Sequence, residues 1–419
     1  MNAPSAITPS PDIQGRIFAM DVFRGLMMLA MVFANELDMA GIQDVPAWMK
    51  HALASDRLTF VDVIAPAFLF IVGMAIPLAI QARRSRGAST GRIWLHILVR
   101  TVSLMIIGLY MGNMRATDVV RNSNVYPIGM SHALWSVLLL AGFFLVWNDY
   151  PRSDGWKRLL SWCLRLAGVA VLVWLAMIYR QRQGDEFTGM QLRWYVIGTI
   201  GWSYLVACVV YFLFRRRPAG MMACLALLIA LYIGDREGAF GRWPWLTTFR
   251  DWVPLGPLIG AHGSITVAGL IVGTLFTNDS TVETHGRRLR WVLVFALGLF
   301  AAGFLLRPLY GLSKMYVTPA WSLYSTGYCC LVFAGLYWIT DVWRLRRWAG
   351  FALPAGRNPL PPYFLSFMFH PLIIVLGVDW ANDYLNAGLV GIARTALVTV
   401  FIGVFLTAAL TRLGIRLRL

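Results

Sequence analysis

Three groups of residues in this sequence have types and spacings suited to chemistry. The first is His51, which stands eleven positions before Asp62, with Thr59 between them. A loop can fold an imidazole back over the start of a helix. Asp62, one turn into that helix, would then hold one ring nitrogen, fix the tautomer and leave the other nitrogen as a base. The plainer alternative is a solvated loop histidine and an aspartate that merely favours the helix dipole. The second group is Asp21 with Arg24 at i, i+3 spacing, one above the other on one helical face. It reads either as an interfacial ion pair or as the mouth of a site for an anionic ligand. The third is Asn358, followed by Pro359, Pro361 and Pro362. An irregular helix start there would offer backbone amides to a phosphate, and a plain proline-led start is the other reading. His96, His132, His262, His285 and His370 show no i, i+4 pairing or flanking acid of a zinc helix, so no metal is expected. There is no Gly-rich phosphate loop and no Gly-x-Ser-x-Gly elbow.

The elements that must position these residues follow from composition. Of 419 residues, 58% are hydrophobic and 14% charged. A soluble domain carries about 25% charged and about 45–50% apolar residues. That contrast excludes a soluble enzyme, a disordered chain and a fibrous chain, and leaves an all-α polytopic membrane helix bundle. The formal charge is +17. The positive residues sit in short clusters between apolar runs, which fits membrane topology and not nucleic-acid binding. Cys163, Cys208, Cys224, Cys329 and Cys330 all fall inside apolar stretches and read as buried free thiols. Residues 1–15 are polar, and no cleavable signal peptide is expected. The first apolar run therefore reads as a retained helix, and residues 16–419 as one transmembrane domain.

About twelve apolar runs are long enough to be spans, with ten or eleven as the alternatives because two are short or rich in proline. They are Met20–Met39, Phe60–Gln81, Trp94–Met114, Gly129–Trp147, Trp162–Tyr179, Trp194–Phe214, Pro218–Ile233, Gly260–Phe276, Trp291–Leu309, Pro319–Thr340, Asn358–Val378 and Leu389–Thr411. With the N-terminus inside, every even-numbered turn is basic. It holds Arg83, Arg84, Arg86 and Arg92; then Arg152, Lys157 and Arg158; then Arg215–Arg217; then Arg287, Arg288 and Arg290; then Arg344, Arg346 and Arg347; and last Arg412, Arg416 and Arg418. Acids such as Asp38, Asp44, Asp56, Asp118, Asp185, Glu186, Asp235, Glu237, Asp251, Asp379 and Asp383 fall outside. The positive-inside rule then predicts N-in, C-in, and the expected location is the plasma (inner) membrane. Asn35, Glu36 and Asp38 close the first span at the outer side. No internal repeat relates the two halves.

The costly residues form one ordered signature. It comprises Asp21-Val22-Phe23-Arg24-Gly25-Leu26, Met31-Val32-Phe33-Ala34-Asn35, Lys50-His51-Ala52, Leu58-Thr59, and Asp62 with Pro66 and Phe68-Leu69-Phe70-Ile71-Val72-Gly73. It resembles the start of heparan-α-glucosaminide N-acetyltransferase and its bacterial relatives, a family of transmembrane acyltransferases. Ser313-Lys314, Thr318-Pro319-Ala320-Trp321, and Gly356-Arg357-Asn358-Pro359-Leu360 with Tyr363, resemble later segments of the same family. The resemblance implies that acetyl-CoA binds from the cytoplasm and that its acetyl group passes to an amino sugar or other glycan acceptor on the far side. It implies His51, Asp62 and Asn35 as catalytic residues, His51 being either base or acyl carrier and Asn35 an oxyanion donor. It implies Arg24, Asn358 and Lys314 as cofactor-binding residues, and a homodimer in membrane lipid without nucleic acid. In the stretch Ala52–Leu58 this sequence lacks the family's Trp and Gly and is one residue longer, so its acceptor need not be heparan. A secondary transporter of a small anion or sugar is the alternative. Transporters place charges near the midplane, whereas the acids and histidines here gather at the outer ends of spans.

Overall fold

The computed structural model describes residues 17–39, 41–42, 44–52, 56–115, 130–150, 155–183, 186–215, 217–377 and 387–418. The N-terminal residues 1–15, together with Arg152, Arg216, Asp118, Asp185, Asp379 and Asp383, lie outside them, as do the span ends Gly129 and Val378. The fold is an all-α bundle of the polytopic membrane type. Among the described residues ten helices are long and apolar enough to cross a membrane. These are α1 (Phe18–Met39), α2 (Phe60–Ser85), α3 (Thr90–Arg115), α5 (Trp156–Ile178), α6 (Val196–Phe214), α7 (Pro218–Arg236), α9 (Leu255–Thr274), α10 (His285–Tyr310), α11 (Pro319–Val342) and α14 (Gly388–Arg412). The shorter α4 (His132–Trp147) and α13 (Leu360–Val375) are also apolar and complete the twelve expected runs. Two short helices join them, α8 (Pro244–Trp252) and α12 (Leu353–Arg357). The strands β1 (Gln181–Gln183) and β2 (Glu186–Thr188) form one antiparallel hairpin after α5.

Local sequence sets the helix starts. Ser131, Thr284 and Thr318 each accept a backbone N–H of the first turn through the side-chain oxygen, the usual way to satisfy orphan donors. Pro218 and Pro319 sit in first turns, where a missing N–H costs nothing. The eleventh run is shorter than predicted. Pro361 and Pro362 belong to the first turn of α13, and the helix ends at Val375.

In lipid there is little hydrophobic drive between helices, so association relies on close packing of small residues. The α2–α9 pair shows this most clearly. A Cβ on Gly73 would overlap the Thr266 carbonyl, and one on Gly269 would overlap the Phe70 carbonyl. Helix α9 is buried throughout Gly263–Gly273, whereas α5 buries only Gly168, Leu172 and Leu175. One apolar core gathers around Phe23, Phe70, Trp321 and Phe333, and a second around Trp135, Phe143 and Phe364. Of the cysteines, Cys208, Cys329 and Cys330 are buried as expected. Cys163 is exposed, because it lies on the outward face of peripheral α5.

Segments expected to share a side of the membrane do meet. Arg307 pairs with Asp56 at 2.8 Å and Arg418 with Asp149 at 2.9 Å. Asp341 at the end of α11 accepts the Phe18 and Ala19 amides at the start of α1, at 3.0 and 2.8 Å.

The α2–α9 contact yields a direct expectation. Gly269→Val should overpack that seam at a cost of roughly 1–3 kcal/mol and lower the melting temperature in detergent. Gly298→Val on α10, where an added Cβ meets nothing within 4 Å, should leave it unchanged. Equal melting of the two variants would show that the seam is not tight.

Candidate active site

Asp62 is the third residue of α2 and is 1% exposed. A carboxylate at this depth needs donors for both oxygens, and the start of α2 supplies them. Oδ2 accepts from the Thr59 hydroxyl at 2.9 Å, the Thr59 amide at 3.2 Å and the Ala52 amide at 3.3 Å. Thr59 in turn caps the helix, so the two residues form a reciprocal capping box. Oδ1 faces His51 Nδ1 at 2.8 Å. An ionised carboxylate only accepts, so Nδ1 carries a proton, and in the neutral imidazole Nε2 is then the nitrogen with the lone pair.

Lys314 closes the other side of the imidazole. Its Nζ stands 3.1 Å from Nδ1 and 3.2 Å from Nε2. With Nδ1 protonated, Nε2 is the nitrogen able to accept from the lysine. The turn that presents Lys314 runs from Gly311 at φ +70° to Val317 at φ +50°. Thr318 Oγ1 fixes it by accepting from the Ser313 amide at 3.1 Å and the Trp321 amide at 3.3 Å. Burial pushes the Lys314 ammonium down to about 8, against the opposing pull of Asp62 and Asp38.

A proline links this site to α11. In an uninterrupted helix the Asp62 carbonyl would accept the N–H of residue 66. Pro66 has none, and the Trp321 indole N–H takes its place at 3.2 Å. Trp321 is 1% exposed and packs edge-on to His262 at 5.7 Å between ring centroids.

The family described as "Domain of unknown function (DUF5009)" matches residues 16–256, more than half of the chain. The chain belongs to the DUF5009 family. Over 99 residues it is 33% identical to heparan-alpha-glucosaminide N-acetyltransferase of Homo sapiens. That stretch covers 23% of this chain and only 14% of the human protein. The DUF5009 chain is thus distantly similar to a membrane acetyltransferase.

The remaining candidates of this DUF5009 protein are placed differently. Asn35 donates to Ser366 Oγ on α13 at 3.4 Å. Arg24 lies near the opposite end of the bundle from His51. It meets Asp21 at 3.7 Å and the Gly356 carbonyl at 3.3 Å. Asn358 shares that end and is 5% exposed. Its amide donates to Thr411 Oγ1 and to the Ile415 carbonyl, both at 3.2 Å, and its oxygen accepts the Leu417 amide at 3.3 Å. Asn358 therefore fastens the C-terminal segment. The three residues grouped as cofactor-binding are split, with Lys314 at one end and Arg24 and Asn358 at the other.

The structure adds a cluster that the sequence reading passed over. Buried Glu36 meets His370 Nε2 at 2.9 Å and Arg394 at 3.7 Å, joining α1 to α13 and α14. The available signal was Arg394 itself, a charge placed two turns into an apolar span. Among the described residues no three His, Cys, Asp or Glu side chains converge as a metal site.

The Pro66–Trp321 arrangement can be tested by rescue. Trp321→Phe should cost about 1–3 kcal/mol, because it leaves a buried carbonyl without a donor. Pro66→Ala restores the N–H at position 66, so the same tryptophan change should cost distinctly less in that background. Identical costs in a double-mutant melting cycle would refute the link.

Proposed function

We propose that this protein is an integral-membrane acyltransferase. In this reading it moves an acetyl group from acetyl-CoA to an amino sugar or other glycan acceptor at the His51 end. The support is the imidazole held by a buried carboxylate on one nitrogen, with the Lys314 ammonium within 3.2 Å of both ring nitrogens. The 33% identity over 99 residues to a membrane acetyltransferase points the same way.

The chemistry assigns each group a task. The acceptor amine approaches Nε2, which takes its proton as nitrogen attacks the thioester carbon. Asp62 keeps Nδ1 protonated and favours the imidazolium that forms. As negative charge develops on the acyl oxygen, the Lys314 ammonium stabilises it. The N–C bond forms, the C–S bond breaks, and the proton on Nε2 passes to the departing CoA sulfur. The same imidazole can instead carry the acetyl group itself.

Acetyl-CoA is a bulky polyanion, so its nucleotide would stay at the Arg24 end, beside the basic turns, in a plasma-membrane setting with that end facing the cytoplasm. Asn358 acts there by fastening the C-terminal segment, since its amide is already engaged. Asn35 would act as an oxyanion donor by leaving Ser366.

Two outcomes are expected. His51→Ala should abolish acetyl transfer to glucosamine while CoA still raises the melting temperature by mass action. Retained transfer would remove His51 from the mechanism. Lys314 is charged below about pH 8 and neutral above it. If its charge holds the oxyanion, kcat/KM falls as pH rises through about 8, and Lys314→Arg shifts that limb upward. A limb unmoved in the arginine variant would exclude this role.

A further inference from the structure

An apolar groove of about 360 Å3 runs between α1, α2 and α11, within the range of about 300–1,000 Å3 usual for ligand pockets. Met27 forms its α1 wall, Val63 and Ala67 its α2 wall, and Tyr328 and Val332 its α11 rim. Tyr328 and Val332 are 44% and 43% exposed, so the groove opens sideways, on a flank that spanning helices turn toward hydrocarbon. Its upper end is Leu58 and Thr59. That same Thr59 hydroxyl donates to Asp62, which holds His51.

The occupant can be argued from lining, depth and charge. Water needs two to four polar partners and is poorly held by such walls. At bilayer depth the matching material is a hydrocarbon chain. Above the groove both signs of charge occur, since Asp62 and Asp38 act on Lys314 and exposed Asp56 adjoins Arg57. Lys314 lies against His51, and exposed Arg57 precedes Leu58 in the chain. An amphiphile with an alkyl tail and a polar amino-sugar head complements both regions.

We propose that the acceptor is lipid-linked. Its tail enters the groove laterally from the bilayer, and its amino sugar reaches His51 Nε2. This rests on the acyl-transfer reading and specifies the substrate class for that site.

The test uses the full chain in nanodiscs. Acetyl transfer is measured to methyl, octyl and dodecyl glucosaminide, in wild type and in two groove-filling variants, Val332→Trp and Val63→Phe. Partitioning into the bilayer is the same for every variant, so the informative quantity is the dodecyl-to-methyl ratio of kcat/KM. It should fall on the order of tenfold, about 1.4 kcal/mol, in at least the rim variant Val332→Trp, whose exposed position tolerates a larger side chain. A ratio equal to wild type in both variants overturns the proposal while leaving acyl transfer intact.

A second arm needs no catalysis. Dodecyl glucosaminide with a photoreactive group in its tail should label α2 or α11 in the wild-type protein. Excess dodecyl glucosaminide should suppress that labelling more strongly than excess dodecyl maltoside. Specific labelling without any acetyl transfer would keep the groove as an amino-glycolipid site and sink the enzymatic reading. Equal suppression by the maltoside would make the groove a slot for ordinary lipid and overturn the proposal.

Discussion

A carboxylate buried at the start of a spanning helix must be fully satisfied, and the architecture around His51 follows from that requirement. Asp62 has two oxygens and four donors within hydrogen-bond reach. All four belong to the segment that precedes α2, so satisfying the carboxylate also folds the loop. One of them is the imidazole, whose orientation is therefore a by-product of solving a solvation problem. Removing charge from Asp62 would alter the loop, the helix cap and the histidine tautomer together.

The same helix carries a mechanical load. Its first turn builds the site, while further along Gly73 lets its backbone touch α9. Proline at position 66 separates these two duties. It disconnects one carbonyl from the helical ladder and hands it to α11. A carbonyl left unpaired in hydrocarbon costs several kcal/mol, so a spanning helix accepts that loss only where a neighbour re-satisfies the group. Here a neighbouring indole removes the penalty and fixes the distance between two helices distant in sequence.

The bundle was largely legible in the sequence because apolar runs and basic turns are dictated by the membrane. The His51–Asp62 pair was legible too, since eleven residues and a helix start suffice to bring the two together. What sequence could not give was contact across the bundle. Lys314 reaches His51 over 263 positions, and hydropathy carries no information about which helix ends adjoin. Of the two readings of the segment after Asn358, the proline-led helix start is the one present, and what the sequence did not show is that the C-terminal residues Ile415 and Leu417 return to the Asn358 side chain. Arg394 was visible as a charge in an apolar run, but its partners Glu36 and His370 lie in other segments.

The indole bond from Trp321 to the Asp62 carbonyl has a consequence for biosynthesis. A ribosome delivers the chain from its N-terminus, so the His51–Asp62 pair can form as soon as the first two spans have been inserted. Lys314 and Trp321 arrive some 250 residues later, on the far side of α10. Until then α2 carries a proline-broken turn with no indole to mend it and an imidazole with no lysine beside it. The nascent protein thus holds the His51–Asp62 pair in an unfinished setting while the intervening helices are made. The setting is completed only after most of the spans have been made.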